Sequence, residues 1–249
     1  MVDSDVASFL AGVRSSRESR SGGAAHAAWS ALTADEVVSY INSNPREQCY
    51  WLRRWGAQAS HDQREIVFAA LLASEQSQHV KRLLRCFTKT GVPRFDRRLL
   101  RWIDHSDGQV EWAAVAALAP LTHGDLRHAA RRLIAYGNVA SGFKLLVNNF
   151  EDGDIAVCAE HLTLHEDIDQ THHLVGNILD LCKAHPGERT LDCLLYVYEF
   201  SPCSTCRQRA VKALTKISNT PAWVLAESAF DADPDTRVII GACHRCEPC

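Results

Sequence analysis

Four cysteines in the last quarter of the chain have the spacing of metal ligands. Cys203 and Cys206 form one Cys-x-x-Cys pair, and Cys243 and Cys246 form a second. The thiolates of two such pairs can hold Zn²⁺ in a tetrahedron. Because the 36 residues between the pairs exceed the usual ribbon spacing of about 15 to 20 residues, only tertiary folding can bring the pairs together. The sequence therefore predicts a zinc site as one of several alternatives.

The pair Cys203 and Cys206 has two other interpretations. Both residues fall in the first turn of a predicted helix after Ser201, where they can serve as small apolar packing residues. A helix N-terminus also lowers the pKa of a thiol, so the pair can be redox-active. Three further cysteines occupy apolar positions of predicted helices, and we expect them in the core: Cys158, Cys182 and Cys193.

Histidines form a second candidate metal cluster. His161 and His165 are four residues apart on one predicted helix, with His172 and His173 shortly after them. The metalloprotease pattern requires a glutamate directly after the first histidine, and Leu162 stands there instead. We therefore expect solvated or capping histidines that make this segment sensitive to mildly acidic pH.

Cations are concentrated in the middle of the chain. Residues 79–149 contain twelve Lys or Arg and five acids, whereas residues 150–200 contain eleven acids and two basic residues. A stripe of cations can follow a phosphate backbone, but it can equally form a solvated face or pair with the acidic neighbour. The candidate basic stripe consists of Lys81, Arg82, Arg85, Arg94, Arg97, Arg98, Arg101, Arg131 and Arg132.

Composition indicates a folded protein of the cytoplasm. The 249 residues are 46% hydrophobic, and the net charge of -3 with a pI near 6.4 is not that of an overt nucleic-acid-binding chain. Asp3 and Asp5 stand where a secretory signal carries positive charge, and the longest apolar run, residues 112–121, is far shorter than the ~20 residues that span a bilayer. We expect no membrane association, reduced thiols and no disulfide framework. The sequence does not indicate an oligomeric state.

Start signals define the helices that must position these residues. Thr33 and Glu36 have the form of a capping box. Four cap-plus-proline pairs predict further helix starts, at Asn44-Pro45, Ser201-Pro202, Thr220-Pro221 and Asp233-Pro234.

A repeated helical pattern connects five segments. An apolar residue is followed one turn later by alanine in each of them, with the apolar column at Ile66, Val110, Ile155, Cys206 and Val238 and the alanine column at Ala70, Ala114, Ala159, Ala210 and Ala242. Small residues at this spacing let helices approach closely, so each segment is predicted to be the inner helix of a stacked unit. The intervals of 44, 45, 51 and 32 residues predict three helices in each of the first three intervals and two in the last.

These segments resemble the HEAT-repeat family, including its bacterial HEAT-like forms. Asp107, Asp152 and Asp235 stand three positions before the apolar column, at the turn where that family often places aspartate, and residues 233–243 are the closest local match. The family's arginine after the apolar position occurs only as Arg207. The resemblance implies an all-α fold, an α-solenoid of about five HEAT-like or armadillo-like helical repeats over residues 31–249. Residues 1–30 are predicted to form a short helix and a flexible Ser/Arg/Gly-rich link.

The resemblance implies a non-catalytic scaffold that holds a protein partner against its concave inner-helix face. The alternative is a nucleic-acid-binding protein, and Trp102, Asp104, Glu111 and Trp112 invite comparison with the alkylpurine DNA glycosylases built from HEAT-like repeats. A zinc- or thiol-dependent accessory protein is the second alternative. No glycine-rich phosphate loop or nucleophile elbow is present in the sequence, so binding is favoured over catalysis and no catalytic residue or cofactor other than zinc is predicted.

Overall fold

The computed structural model describes residues 29–163 and 167–243. Within these ranges every regular element is a helix and no strand occurs, which confirms the predicted all-α class. The predicted leading helix and the link after it lie outside the described residues. The chain divides into two compact units, one ending at Pro93 and the other beginning at Arg94. None of the helices in the described parts of the chain is both long and apolar enough to cross a bilayer.

The described part of the first unit is a cluster of four helices. They are α1 (Ala34–Ser43), α2 (Leu52–Gln58), α3 (His61–Ala73) and α4 (Ser77–Arg85). Helix α4 contacts the other three, and its Val80 and Leu84 lie in a core with Ile41, Phe68 and Leu71. Burial of the apolar stripes of these helices drives their association.

Helix α1 begins at the predicted capping box. The Thr33 hydroxyl accepts the backbone N–H of Glu36 at 3.3 Å, and the Glu36 carboxylate accepts the backbone N–H of Thr33 at 2.8 Å. The hydrogen bond from this N–H lowers the pKa of Glu36. A second capping box, between Ser60 and Gln63, starts α3. Reciprocal capping of this kind satisfies N–H groups that the helix itself leaves free.

The helix start predicted at Asn44-Pro45 is wrong. Asn44 ends α1 instead, because its backbone N–H and its side-chain amide both donate to the Tyr40 carbonyl, at 3.0 and 2.9 Å. The next helix begins only at Leu52. An asparagine can serve either end of a helix, and here its side chain gives a carbonyl of the last turn a second hydrogen bond.

The second unit contains the remaining helices. They are a 3₁₀ helix (Arg97–Trp102), α5 (Gly108–Leu118), α6 (Gly124–Ala135), α7 (Val139–Leu146), α8 (Asp154–Glu160), α9 (Ile168–Ala184), a short 3₁₀ turn (Glu188–Thr190), α10 (Leu191–Phe200), α11 (Ser204–Leu214), α12 (Ala222–Ser228) and α13 (Pro234–Cys243). Pro221 directly precedes α12, and Asp233 caps α13 through the backbone N–H of Thr236 at 3.1 Å.

The helices of the second unit contact one another in two rows. In one row α5, α7, α9, α11 and α13 each contact the next, and in the other α6, α8 and α10 do the same. The helices of the first row begin at residues 108, 139, 168, 204 and 234, 29 to 36 residues apart. Each step along this row therefore contains two helices.

The predicted column of apolar residues does not mark one row. Ile155 lies on α8, in the opposite row from α5 and α11, so the five segments are not equivalent helices of successive units. The predicted helix numbers are correct: α3, α4 and the 3₁₀ helix occupy the first interval, α5 to α7 the second, α8 to α10 the third, and α11 and α12 the last. The column is also exposed at its two ends, where Ile66 is 43% and Val238 is 66% exposed. Helix α3 buries Val67 and Leu71 instead, one residue out of the predicted register. Helices rich in Ala and Val carry apolar residues on several faces, and this leaves the register ambiguous.

Candidate functional site

The first third of the candidate basic stripe is buried. Lys81, Arg82 and Arg85 of α4 are 6%, 2% and 4% exposed. Arg82 donates to the Gln78 carbonyl at 2.9 Å and to the Asn44 carbonyl at 2.6 Å, and Arg85 donates to the Gln48 carbonyl. These arginines hold the loop between α1 and α2, so the prediction that they belong to an exposed stripe is wrong.

The arginines around the 3₁₀ helix are exposed, but acidic side chains and an aromatic ring lie next to them. Arg94, Arg97, Arg98 and Arg101 all reach solvent. Arg97 lies 3.3 Å from the Asp125 carboxylate, and Arg98 forms two hydrogen bonds, of 3.0 and 2.7 Å, with Asp96. The hydrogen bonds from Arg98 lower the pKa of Asp96 to about 2. The Arg101 guanidinium lies over the ring of Trp102, 4.7 Å from its centroid.

Arg131 and Arg132 on α6 also face carboxylates. Arg132 lies 2.5 Å from Asp104, and Arg131 lies 3.7 Å from Asp154. Asp154 is bound more closely by Arg127, at 2.9 Å. Charges paired in this way attract phosphate less than the sequence count of cations suggests, so the candidate stripe is a set of local ion pairs rather than a bare cationic track.

The residues that suggested a glycosylase have structural partners. Glu111 accepts hydrogen bonds from Asn138 at 2.8 Å and from Ser141 at 2.6 Å, and Asp104 binds Arg132. Trp102 is 7% exposed and Trp112 is 43% exposed. Neither of the two cavities described below is lined by these side chains.

A cavity of about 590 Å³ in the second unit combines cations with an apolar floor. Its walls come from the end of α9, the loop after α9, α10 and α11. The cations are Lys183, Arg209, Lys212 and Lys216, the apolar floor is Leu179, Cys182, Leu194, Ala213 and Ile217, and Pro186, Gly187 and Thr190 complete the lining. We call this cavity the basic cleft.

The basic cleft is strongly positive. Lys183, Lys212 and Lys216 are exposed, and no carboxylate of the described residues forms a salt bridge with them. Arg209 lies 3.3 Å from Asp180, which Lys144 also approaches, at 3.4 Å. No acid lines the cavity. The cleft therefore offers three lysines that a bound carboxylate or phosphate can neutralise.

The floor of the basic cleft is uncharged. Leu179, Leu194 and Ile217 are at most 7% exposed. Burial raises the pKa of Cys182 to about 12, so its thiol stays protonated and acts as a small apolar group. Glu188, the first residue of the short 3₁₀ turn, accepts the backbone N–H groups of Ser218 and Asn219, at 2.9 and 3.3 Å.

The basic cleft was not among the sites predicted from the sequence, although the sequence contains a charge pattern that indicates it. Residues 201–226 contain no acid and four cations, and they follow a strongly acidic stretch that dominates any charge count over a wider window. Arg207, within the same run, turns to the opposite side of α11 and binds Asp231, at 2.8 and 3.2 Å. The packing of α11 against α9 and α10 places Arg209, Lys212 and Lys216 at the basic cleft and Arg207 away from it.

A second cavity, of about 490 Å³, lies beside Asp231 and has the opposite character. Aromatic rings and acids line it, namely Tyr198, Trp223 and Phe230 with Glu199, Glu227 and Asp231; Arg207 and Ala232 complete the lining. The rings of Tyr198 and Trp223 meet edge to face, with centroids 6.0 Å apart. Phe230 is 88% exposed, so this cavity is an open groove.

Two of the four predicted zinc ligands meet a histidine. The ligand atoms of His172, Cys203 and Cys206 all lie within 4.8 Å of one another. The sequence did not predict His172 as a partner of these cysteines. Cys246 and the side chain of Cys243 lie outside the described residues, so the predicted pairing of the two cysteine pairs is not visible.

The two thiols of this cluster differ in acidity. The backbone N–H of Cys206 donates to the Cys203 sulfur and lowers the pKa of Cys203. Burial raises the pKa of Cys206. The other predicted core cysteines, Cys158, Cys182 and Cys193, are buried as expected. His161 forms a 2.8 Å hydrogen bond with the Val157 carbonyl at the end of α8, as expected for a capping histidine; His165 is outside the described residues.

The whole chain matches no protein-family model, no curated protein and no solved structure.

Proposed function

We propose that the chain is a non-catalytic binding scaffold whose basic cleft receives an acidic, partly apolar segment of a protein partner. The observation that carries this proposal is the lining of the cleft: four cations surround an apolar floor and no acid is among them. Carboxylates of the segment pair with Lys183, Lys212 and Lys216, and an apolar side chain of the segment fills the floor. Interfaces of proteins combine an apolar centre with a polar rim in this way.

The cleft has the size and wall structure of a side-chain pocket. Its volume of about 590 Å³ is within the range of about 300 to 1,000 Å³ that ligand sites commonly occupy. Lysine side chains can lay their methylene stems against an apolar surface while their ammonium groups stay in water. The lysines can therefore cover the flanks of a bound apolar side chain and still meet carboxylates at the rim.

A peptide suits the cleft better than a nucleic acid does. Recognition of phosphates along a nucleic-acid strand requires cations in a continuous track. The candidate stripe does not offer one, because its exposed arginines near Asp96, Asp104 and Asp125 form ion pairs with these acids. The apolar floor has no hydrogen-bond donor or acceptor side chain to read a base edge. The lining thus favours a protein segment over the nucleic-acid alternative.

The framework that we propose for this scaffold is a HEAT-like α-solenoid built from helical pairs. Its support is the succession of contacts in the second unit, in which helices about 30 residues apart form a row. Side-chain contacts recur at a similar separation. The rings of Phe95 and His123 stack at 3.8 Å, and those of Phe150 and His185 stack at 4.4 Å.

Asn149 shows how successive pairs are joined. Its side-chain oxygen accepts the backbone N–H of His123 at 2.7 Å, and its amide donates to the carbonyls of Leu121 and Leu145, each at 2.9 Å. A buried amide with every hydrogen bond made fixes one loop against the next. Contacts between nearest neighbours of this kind are what stabilise a repeat array. In such an array the basic cleft lies between α9 and α11, neighbours in one row.

Fluorescence anisotropy with a labelled peptide tests the proposal. The probe is a short peptide of alternating glutamate and leucine, and its counterpart carries lysine in place of glutamate. We expect the glutamate peptide to bind, and the double variant Lys212→Glu/Lys216→Glu to bind it at least about tenfold more weakly. The matched control Lys89→Glu changes an exposed lysine of the first unit and should leave the affinity within about twofold.

The same assay separates the alternatives. Equal binding of the two peptides, or equal affinity of wild type and the double variant, would refute the cleft as an acidic-segment site. Labelled single- and double-stranded DNA and RNA are measured in parallel across a salt series. If a nucleic acid binds more tightly than the peptide and the lysine double variant abolishes that binding, the nucleic-acid alternative replaces our proposal.

A further inference from the structure

We infer that His172, Cys203 and Cys206 form a Zn²⁺ site at the junction of α9 and α11. Their ligand atoms lie within 4.8 Å of one another. In a tetrahedral zinc site with Zn–S bonds of about 2.3 Å, neighbouring ligand atoms are about 3.8 Å apart. The three side chains therefore need to converge by no more than about 1 Å to hold the metal.

The positions of the three residues permit this convergence. Cys203 directly precedes α11, and Cys206 lies in its first turn, so the two thiols are one turn apart on one face. His172 is exposed and lies near the start of α9, which contacts α11. An exposed imidazole can rotate about its two side-chain bonds without displacing core atoms. Cys206 is 5% exposed and anchors the site against the protein interior.

The residues before α11 hold Cys203 in place. The Ser201 hydroxyl accepts the backbone N–H of Cys203 at 3.2 Å and donates to the Cys203 carbonyl at 3.1 Å. These hydrogen bonds fix the backbone that carries the first thiol, and contacts behind a ligand help to orient it toward a metal. Zinc binding releases the thiol protons, because the metal binds the thiolate form.

The donor set selects zinc among the common metals. Two sulfurs and one imidazole nitrogen suit Zn²⁺, whereas Mg²⁺ and Ca²⁺ prefer oxygen ligands. Three protein ligands leave one coordination position for water or an added ligand. The metal would also connect α9 to α11, the two helices that carry most of the cations of the basic cleft. The zinc site stands independently of the peptide proposal, since no cleft-lining cation is a ligand.

Metal analysis of the full chain tests the inference. Protein purified under reducing conditions is loaded with Zn²⁺, dialysed and analysed for zinc, and circular dichroism confirms that each variant is folded. We expect about one equivalent of zinc in wild type and less than about a tenth in His172→Ala and in Cys203→Ser. His173→Ala is the matched control, because His173 is exposed on the next position of the same helix and should retain the metal.

X-ray absorption of the zinc-loaded protein supplies a second readout. We expect two sulfur neighbours at about 2.3 Å and a nitrogen neighbour at about 2.0 Å. Wild type that retains no zinc would overturn the inference. So would zinc content that His172→Ala leaves unchanged but Cys243→Ser or Cys246→Ser abolishes, because that result would assign the metal to the two cysteine pairs.

Discussion

The guanidinium of Arg127 forms two hydrogen bonds of 2.9 Å with the carboxylate of Asp154, and that side chain is only 1% exposed. Arg127 lies on α6 and Asp154 begins α8, so the pair joins neighbouring helices of one row. Asp154 also accepts the backbone N–H of Glu151 at 2.9 Å. Arg127 counts toward the basic middle of the sequence, but Asp154, from the acidic segment that follows, neutralises its charge.

Loss of the Arg127 charge should destabilise the second unit. Arg127→Met leaves the buried Asp154 carboxylate with the backbone N–H of Glu151 and the more distant Arg131 guanidinium, and breaking a buried ion pair costs about 3 kcal/mol. Arg131→Met is the control, because Arg131 lies 3.7 Å from the same acid and its side chain is 46% exposed; we expect a loss below about 1 kcal/mol. Urea unfolding measures both, and equal losses for the two variants would contradict this role of the pair.

A close helix approach in the first unit requires glycine. A Cβ on Gly56 of α2 would lie 1.7 Å from the Cys86 carbonyl oxygen, which is a backbone atom and cannot move alone. We expect Gly56→Ala to cost at least about 2 kcal/mol. Gly176→Ala is the comparison within α9, where a Cβ meets no atom within 4 Å, and it should stabilise by about 0.5 to 1 kcal/mol. Thermal unfolding followed by circular dichroism should move in opposite directions for the two variants.

Substitution of Arg82 should act on folding rather than on binding. Arg82→Met removes the hydrogen bonds to the carbonyls of Asn44 and Gln78 and should cost about 2 kcal/mol. The cost is limited because the Nη2 atom of Arg82 is itself buried without a hydrogen-bond partner in the described structure. Arg46→Met, at an exposed position of the same loop region, should change stability little. A stable Arg82→Met protein that loses peptide binding would contradict the structural role.

Acid should weaken the contact between α11 and the segment before α13. Burial acts to raise the pKa of Asp231, but hydrogen bonds from Arg207 and from the backbone N–H of Asp233 outweigh it and lower this pKa below its ordinary value. A carboxyl group with a lowered folded-state pKa stabilises the fold above the pKa of the unfolded chain, about 4, and loses that contribution as pH falls through its folded-state pKa.

Urea unfolding at two pH values checks this expectation. The difference in stability between wild type and Asp231→Asn should be largest near pH 7 and should shrink at pH values below about 3. Asp235→Asn, an exposed acid in the first turn of α13, serves as the control. A difference between wild type and Asp231→Asn that is constant across this range would show that the Asp231 charge does not stabilise the fold.

Local signals predicted the helices well because capping depends on neighbours in the sequence. Thr33 and Asp233 start helices where expected, through hydrogen bonds to residues three positions on. Asn44 misled because its side chain can serve the end of one helix as readily as the start of the next. Which end of a helix Asn44 serves depends on Arg82, 38 residues away, whose guanidinium donates a hydrogen bond to the Asn44 carbonyl.

The candidate sites depend on contacts that sequence spacing does not contain. Cys203 and Cys206 were recognised from their own spacing, but His172 joins them only because α9 contacts α11. Lys183 likewise meets Lys212 and Lys216 across the same pair of helices, although they are distant in the chain. The helix register was ambiguous at Ile66 and Val238, since the residue that follows each of them is also apolar, and packing alone selects which one is buried.

The most direct test of the binding proposal is to locate the bound peptide. The alternating glutamate–leucine peptide is given a photoreactive group in place of one leucine, crosslinked to the full chain and mapped by mass spectrometry. Our account predicts that the crosslinks concentrate on residues of the cleft floor, such as Leu179, Ala213 and Ile217, and that excess unlabelled peptide suppresses them. Crosslinks that are spread over both units, or concentrated at the 3₁₀ helix around Arg97 and Arg101, would contradict it.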